Sequence, residues 1–177
     1  MKLTPAMQDF ILHWGEMGAK WGTNRSVAQI HALLHLSDKP LPADEIAETL
    51  GIARSNVSTG LKELQTWKLV NVERQLGDRR DHVTSIRDMF DLALVVIEGR
   101  REREFAPTLA ALERVLVEAR EDGTPGENVG RIEETLETMR LFDRWYADVA
   151  RLPRAVHVGA LKLGAKITRF IPGGNKT

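Results

Sequence analysis

Apolar side chains recur along most of this chain at three- and four-residue intervals, the spacing that gathers them on one side of an α-helix. Met7, Phe10, Ile11, Trp14 and Met17 form the first such stripe. Thr4-Pro5 ahead of it offers an N-cap hydroxyl and a first-turn proline, so a helix is predicted from there to about Lys20. Val27, Ile30, Leu33 and Leu34 predict a second helix, Ser26 to about Leu36, closed by Asp38-Lys39-Pro40. A short third helix reads from Pro42 to Leu50. Asp44 and Glu45 sit in its first turn, where carboxylates favour the positive helix end, and Gly51 suits the residue after it. A fourth helix reads from about Arg54 to Trp67, with Val57, Leu61 and Leu64 inward at i, i+4 and i+7.

The period then changes. Leu69 to Arg74 and Arg79 to Ile86 are β-favouring runs on either side of Gln75-Leu76-Gly77-Asp78, which predicts a hairpin. Helical spacing returns from Asp88 to about Arg120, interrupted near Gly99 and Pro107, with Leu109, Leu112, Leu116 and Ala119 along its seam. The stretch from Asp122 to Gly130 reads as a loop. A long helix follows from roughly Arg131 to Ala150, with Ile132, Leu136, Met139, Phe142 or Asp143, and Tyr146 on one side. Beyond it, Arg154 to Phe170 is basic and apolar. The predicted fold class is mainly α with one two-stranded β element.

Composition adds exclusions. With 42% hydrophobic and 28% charged residues over 177 positions, the chain reads as an ordinary globular protein. Cysteine is absent, which rules out disulfides, thiolate metal sites and cysteine nucleophiles. No apolar run is long enough to span a membrane, and the first residues lack a signal-peptide pattern, so a cytoplasmic location is expected. The formal net charge of zero is partitioned: −2 over residues 1–50, +2 over 51–82, +1 over 83–87 (Arg87), −7 over 88–150 and +6 over 151–177. A polyanion would therefore be met by a local patch rather than by the whole surface.

The order helix, helix, turn, helix, hairpin places a helix-turn-helix at about 42–67 with a β wing behind it. A helix that reads a DNA major groove must bury one side and present small polar and basic groups on the other. Here the free side carries Arg54, Ser55, Asn56, Ser58, Thr59 and Lys62. Asn56 suits adenine, and Arg54 or Lys62 suits guanine or phosphate. Arg74, Arg79 and Arg80 put guanidinium groups on the hairpin, in reach of phosphates or a narrow minor groove. The partner these residues call for is double-stranded DNA.

The run from Leu41 to Val70, LPADEIAETLGIARSNVSTGLKELQTWKLV, resembles the MarR-type winged helix-turn-helix of transcription regulators. With Gly18-Ala-Lys-Trp-Gly22 ahead of it and Gly77-Asp-Arg-Arg-Asp-His82 behind, it is most similar to the GbsR-type branch. The resemblance implies a homodimeric regulator, usually a repressor, with Arg54 to Lys62 facing the groove and Asp78-Arg79-Arg80 at the wing tip. It also implies that Asp78 holds Arg80 by a bidentate pair and leaves Arg79 freer. Three residues depart from the pattern. Ala53 and Pro42 stand where a hydroxyl cap is usual, a loss of about 0.5–2 kcal/mol each, and Gly60 in mid-helix costs about 1 kcal/mol against alanine.

Two recognition helices must stand one DNA turn apart, which requires a dimer. The helices at 1–22 and 88–150 exceed what a small winged helix needs and are expected to supply the dimerisation platform. The expected organisation is a dimerisation helix (1–22), a winged helix-turn-helix (23–87), a helical platform (88–150) and a basic amphipathic tail (151–177). The GbsR-type resemblance implies choline sensing in some members, and Trp21 with Trp145 and Tyr146 is the candidate aromatic group for a small-molecule effector. His31 and His35 have metal-ligand spacing but no third ligand, so no metal and no cofactor are expected. No catalytic constellation is visible, so the chain does not read as an enzyme. The tail's Arg154, Lys162, Lys166 and Arg169 suit docking on the acidic 88–150 helices better than membrane attachment. The rival reading is a winged-helix protein-interaction module that binds no DNA.

Overall fold

The computed structural model describes residues 1–167. The chain divides into two compact units, Met1–Arg103 and Glu104–Thr177.

The first unit holds α1 (Pro5–Lys20), α2 (Arg25–Leu36), β1 (Leu41–Pro42), α3 (Ala43–Leu50), α4 (Arg54–Thr66), β2 (Val70–Arg74), β3 (Asp81–Ser85) and α5 (Met89–Arg100). Local chemistry sets the helix ends. The Thr4 hydroxyl accepts from the Met7 amide at 3.3 Å, and the Asn24 side-chain Oδ1 accepts from the Ser26 amide at 2.9 Å. Asp88 caps α5 by accepting from Phe90 and Asp91. Pro42 and Ala53 make no side-chain cap, so α3 and α4 form without that help. Burial holds them instead.

α2 is the centre of the unit. Ile30, Ala32 and Leu33 are wholly buried, and Leu41, Ile46 and Val57 meet them from β1, α3 and α4. Each such isoleucine, leucine or valine side chain stabilises the fold by about 1.5–3 kcal/mol, more than a missing cap typically costs. α1 lays Ile11, Phe10 and Trp14 onto the same core. It comes close because its inner face carries glycines: a Cβ on Gly18 would stand 2.5 Å from the Ala28 Cβ, and one on Gly15 would stand 2.7 Å from Gln29 Cγ.

The β element has three strands rather than two, in the order β1-β3-β2 and all antiparallel. Leu41 and Val72 both lie opposite Val83, so β3 joins the helical core to the hairpin. β1 is two residues long and contains a proline. It is a strand only because β3 lies beside it.

The second unit contains α6 (Ala106–Glu121), α7 (Gly126–Ala150) and α8 (Arg154–Ile167), and a π-helical turn, Arg101–Phe105, lies at the boundary between the units. Leu116, Ala119 and Leu136 are buried between α6 and α7. Arg120–Glu133 and Arg140–Glu113 ion pairs at 2.7 and 2.6 Å flank that seam. α7 begins five residues earlier than the sequence suggests, within the run read as a loop. The Pro125 carbonyl accepts from Asn128 and Val129, and Glu127 pairs with Arg131 one turn on. In α8, His157 Nε2 lies 2.6 Å from the Val149 carbonyl, tying its first turn to the end of α7. Arg169, assigned to the basic tail, lies outside the described residues.

Candidate nucleic-acid interface

α4 is held on one side only. Val57, Gly60, Leu61 and Leu64 are buried, while Arg54, Ser55, Asn56, Ser58, Thr59 and Lys62 are all exposed. Among the described residues none of these six side chains has a hydrogen-bonding partner, so their donors and acceptors face water. Gly60 is the contact point with α2. A Cβ there would stand 2.7 Å from Ile30 Cδ1 and 3.5 Å from Val27 Cγ2. The far end of α4 closes with the Leu69 amide on the Leu64 carbonyl at 2.9 Å, and Lys68 turns left-handed at φ 58° to allow it. Trp67 then lies beneath Arg103, whose guanidinium carbon sits 3.9 Å from the ring centroid. Arg103 also donates to the Thr66 carbonyl at 2.5 Å, and Gly99 leaves room for the ring.

The wing is fixed by its acids. Arg80 Nε and Nη2 donate to both Asp78 oxygens at 3.0 and 2.7 Å, a bidentate pair. Its third arm, Nη1, reaches back to Asp44 Oδ2 in the first turn of α3 at 2.9 Å. The Asp78 carboxylate also accepts from the Arg80 amide, and these bonds hold its pKa down at about 2. Asp44 is likewise lowered, chiefly by the bond from Arg80. His82 lies buried behind the turn, with Nδ1 3.1 Å from the Arg80 carbonyl. Arg79 has no side-chain partner among the described residues, and Arg74 makes only a long 3.5 Å contact to Asp81. The wing therefore offers two loosely engaged guanidinium groups, from Arg74 and Arg79. Arg80, half exposed, is held by both Asp78 and Asp44.

Behind the polar face, α1, α2, α4 and α5 line a mostly apolar pocket of about 110 Å³ that is open to solvent on one side. Trp14, Trp21 and Trp67 line it, with Leu64 of α4, Leu92 and Val96 of α5, and Glu63, His31 and Arg100 as its polar members. Burial, then the neighbouring His35, pushes the His31 imidazole down to about 4. His31 Nε2 lies 3.0 Å from the Ser85 hydroxyl. Of the expected effector group, Trp21 lines this cavity, while Trp145, exposed, and Tyr146, half-buried, belong to the second unit. In the sequence Trp14 belongs to the first apolar stripe and Trp67 ends the fourth helix; the pocket between them is visible only once α1 and α5 are in place.

The sequence profile of the MarR family matches residues 21–81, which takes in α2, α3, α4 and the wing. Over this segment the chain is similar to the MarR family. Over 159 residues the chain is 24% identical to the HTH-type transcriptional repressor GbsR of Bacillus subtilis (strain 168), covering 86% of this chain and 83% of that protein. A solved structure described as a transcriptional regulator superposes with a TM-score of 0.68 at 16% identity, over 82% of this chain and 96% of its own. The fold is thus shared well beyond the matched segment. No helix among the described residues is long and apolar enough to cross a membrane.

Proposed function

We propose that this protein is a homodimeric, sequence-specific DNA-binding transcription regulator, acting as a repressor and relieved by a small-molecule effector. The observation that carries the reading is the one-sided burial of α4, which leaves a hydroxyl-, amide- and cation-bearing face of six unpartnered side chains. A protein-binding face would expose aliphatics there. Arg54 and Asn56 read base edges, Ser55, Ser58, Thr59 and Lys62 fix the helix in the groove, and Arg74 and Arg79 contact phosphates.

Dimerisation is supported by apolar side chains left uncovered in the second unit: Val117, Leu141, Phe142 and Trp145 are each more than half exposed. Such a surface fits a second copy of the chain. Effector control is supported by the cavity, because a molecule seated against Leu64 and Trp67 presses on the recognition helix itself. Its binding would favour whichever helix position it fits and so shift the population able to span one DNA turn.

Binding to a duplex from the region upstream of its own gene, titrated with salt, tests the reading. With Lys62, Arg74 and Arg79 from each of two protomers on phosphates, the slope of log affinity against log salt should be about −5, from about −0.9 per phosphate. A folded protein whose binding is absent or indifferent to salt would instead be the protein-interaction module.

A further inference from the structure

We propose that Leu76, at the tip of the wing, is an apolar wedge that enters the minor groove and unstacks a base step there. The inference rests on the DNA-binding reading above and assigns a role that reading does not contain.

Leu76 is the most exposed large apolar side chain among the described residues, at 108% of its reference exposure. Isolated exposed leucines are common on protein surfaces, so exposure alone decides nothing. Three further features give this one a direction. First, the turn that carries it is built. The Asp78 amide donates to the Gln75 carbonyl at 3.1 Å, and Gly77 at φ +87° supplies the left-handed third position of a four-residue turn. Leu76 is therefore the second residue of a closed turn, with no neighbour to fold back upon. Second, the base of the tip is braced. The residues after it are tied by Arg80 to Asp78 and, across the fold, to Asp44 of α3, and His82 is buried behind them. A wedge needs such a backing, because an unsupported loop would bend before a base step opens. Third, the flanks are cationic. Arg74 and Arg79 stand on either side of the tip, Arg79 without a side-chain partner among the described residues and Arg74 held only by its long 3.5 Å contact to Asp81, as suits the two phosphate backbones that border a minor groove.

An apolar tip between arginines on a stiff hairpin is the chemistry by which proteins open minor-groove steps, inserting leucine or similar side chains and kinking the duplex. The insertion removes the Leu76 side chain from water and is cheapest at flexible pyrimidine–purine steps. Leu76 thereby makes the protein sensitive to a TA or CA step beneath each wing, positions where no hydrogen bond is made. An aliphatic contact with a protein partner is the competing use of the same residue.

The test uses the full-length protein and the duplex it protects in a footprint of its own upstream region, with 2-aminopurine placed in turn at the adenines of steps lying under the wings. Wild type should raise 2-aminopurine fluorescence at one step per half-site as the base unstacks. Leu76→Ser should abolish that rise and weaken binding about three- to tenfold, with the footprint boundaries unchanged. Leu76→Met, which keeps an apolar tip, should retain most of both signals. Replacing the step by GC should weaken wild type and leave Leu76→Ser unaffected. The wedge is refuted if wild type protects the site while every 2-aminopurine stays quenched, or if Leu76→Ser matches wild type in fluorescence and affinity. Absence of any footprint from the folded protein removes the DNA-binding reading, and the wedge with it.

Discussion

Gly60→Ala examines the seat of the recognition helix. In an exposed helix this exchange stabilises by about 1 kcal/mol, since alanine loses less backbone freedom. At this position the new Cβ would stand 2.7 Å from Ile30 Cδ1. That is well inside van der Waals contact, and Ile30 is wholly buried. Overpacking of this kind costs about 1–3 kcal/mol, so with a midpoint near 2 the net effect should be a destabilisation of about 1 kcal/mol. Ile30→Val removes the colliding methyl and by itself costs about 1 kcal/mol. In the double variant the alanine methyl takes the place of the lost Cδ1. Its stability should return to within about 0.5 kcal/mol of wild type, which makes the two changes strongly non-additive. Urea denaturation followed by tryptophan fluorescence reads this well, because Trp14, Trp21 and Trp67 all report on the first unit. Stabilisation by Gly60→Ala alone, or a double variant equal to the sum of the singles, would refute the close α2–α4 crossing.

The remaining predictions concern the wing, the buried histidine and the apolar face of the second unit. Arg79→Lys should keep DNA affinity, since a point charge suffices for a phosphate, whereas Arg80→Lys should lose it, because an ammonium cannot span Asp78 and Asp44 together; equal tolerance of both in a binding titration would contradict the assignment. His31 is held near 4 against an ordinary 6.5, so the unfolded chain takes up a proton that the folded one refuses. Stability should be full above about pH 6.5 and fall by roughly 3 kcal/mol as pH drops to 4. His31→Gln should flatten that slope when urea midpoints are compared across the window, and an unchanged slope would exclude His31 as its source. Trp145→Glu places a charge on the uncovered face of α7 and should convert a dimer to monomer in sedimentation, with at least a hundredfold loss of operator affinity expected from losing the second half-site; a dimer that persists would move the interface elsewhere.

Much of the first unit was legible in the sequence because its helices are amphipathic at regular spacing. Val57, Leu61 and Leu64 mark the hidden side of α4 and thereby its free side. What escaped was set by contacts between distant residues. Leu41–Pro42 looks like a helix approach until Val83 lies beside it. Gly60 and Gly99 look like defects in their helices, yet each is where another side chain, Ile30 or Trp67, comes too close for a Cβ. The bidentate Asp78–Arg80 pair follows from a two-residue spacing, but the bond to Asp44 joins residues 36 apart and has no local signature. The Gly- and Pro-rich run at 122–130 reads as loop by composition, although Pro125 starts a helix as well as it ends one. The three-tryptophan cavity needs four helices to define it.

The central claim is that the exposed side of α4 reads base sequence. It is tested most directly by measuring how wild type, Arg54→Ala and Asn56→Ala each discriminate among singly substituted versions of the protected duplex. Each variant should bind the intact site more weakly and lose about 1–3 kcal/mol of discrimination at one symmetric pair of positions, keeping the rest of the profile. Profiles identical to wild type in both variants would mean that this face does not touch the bases.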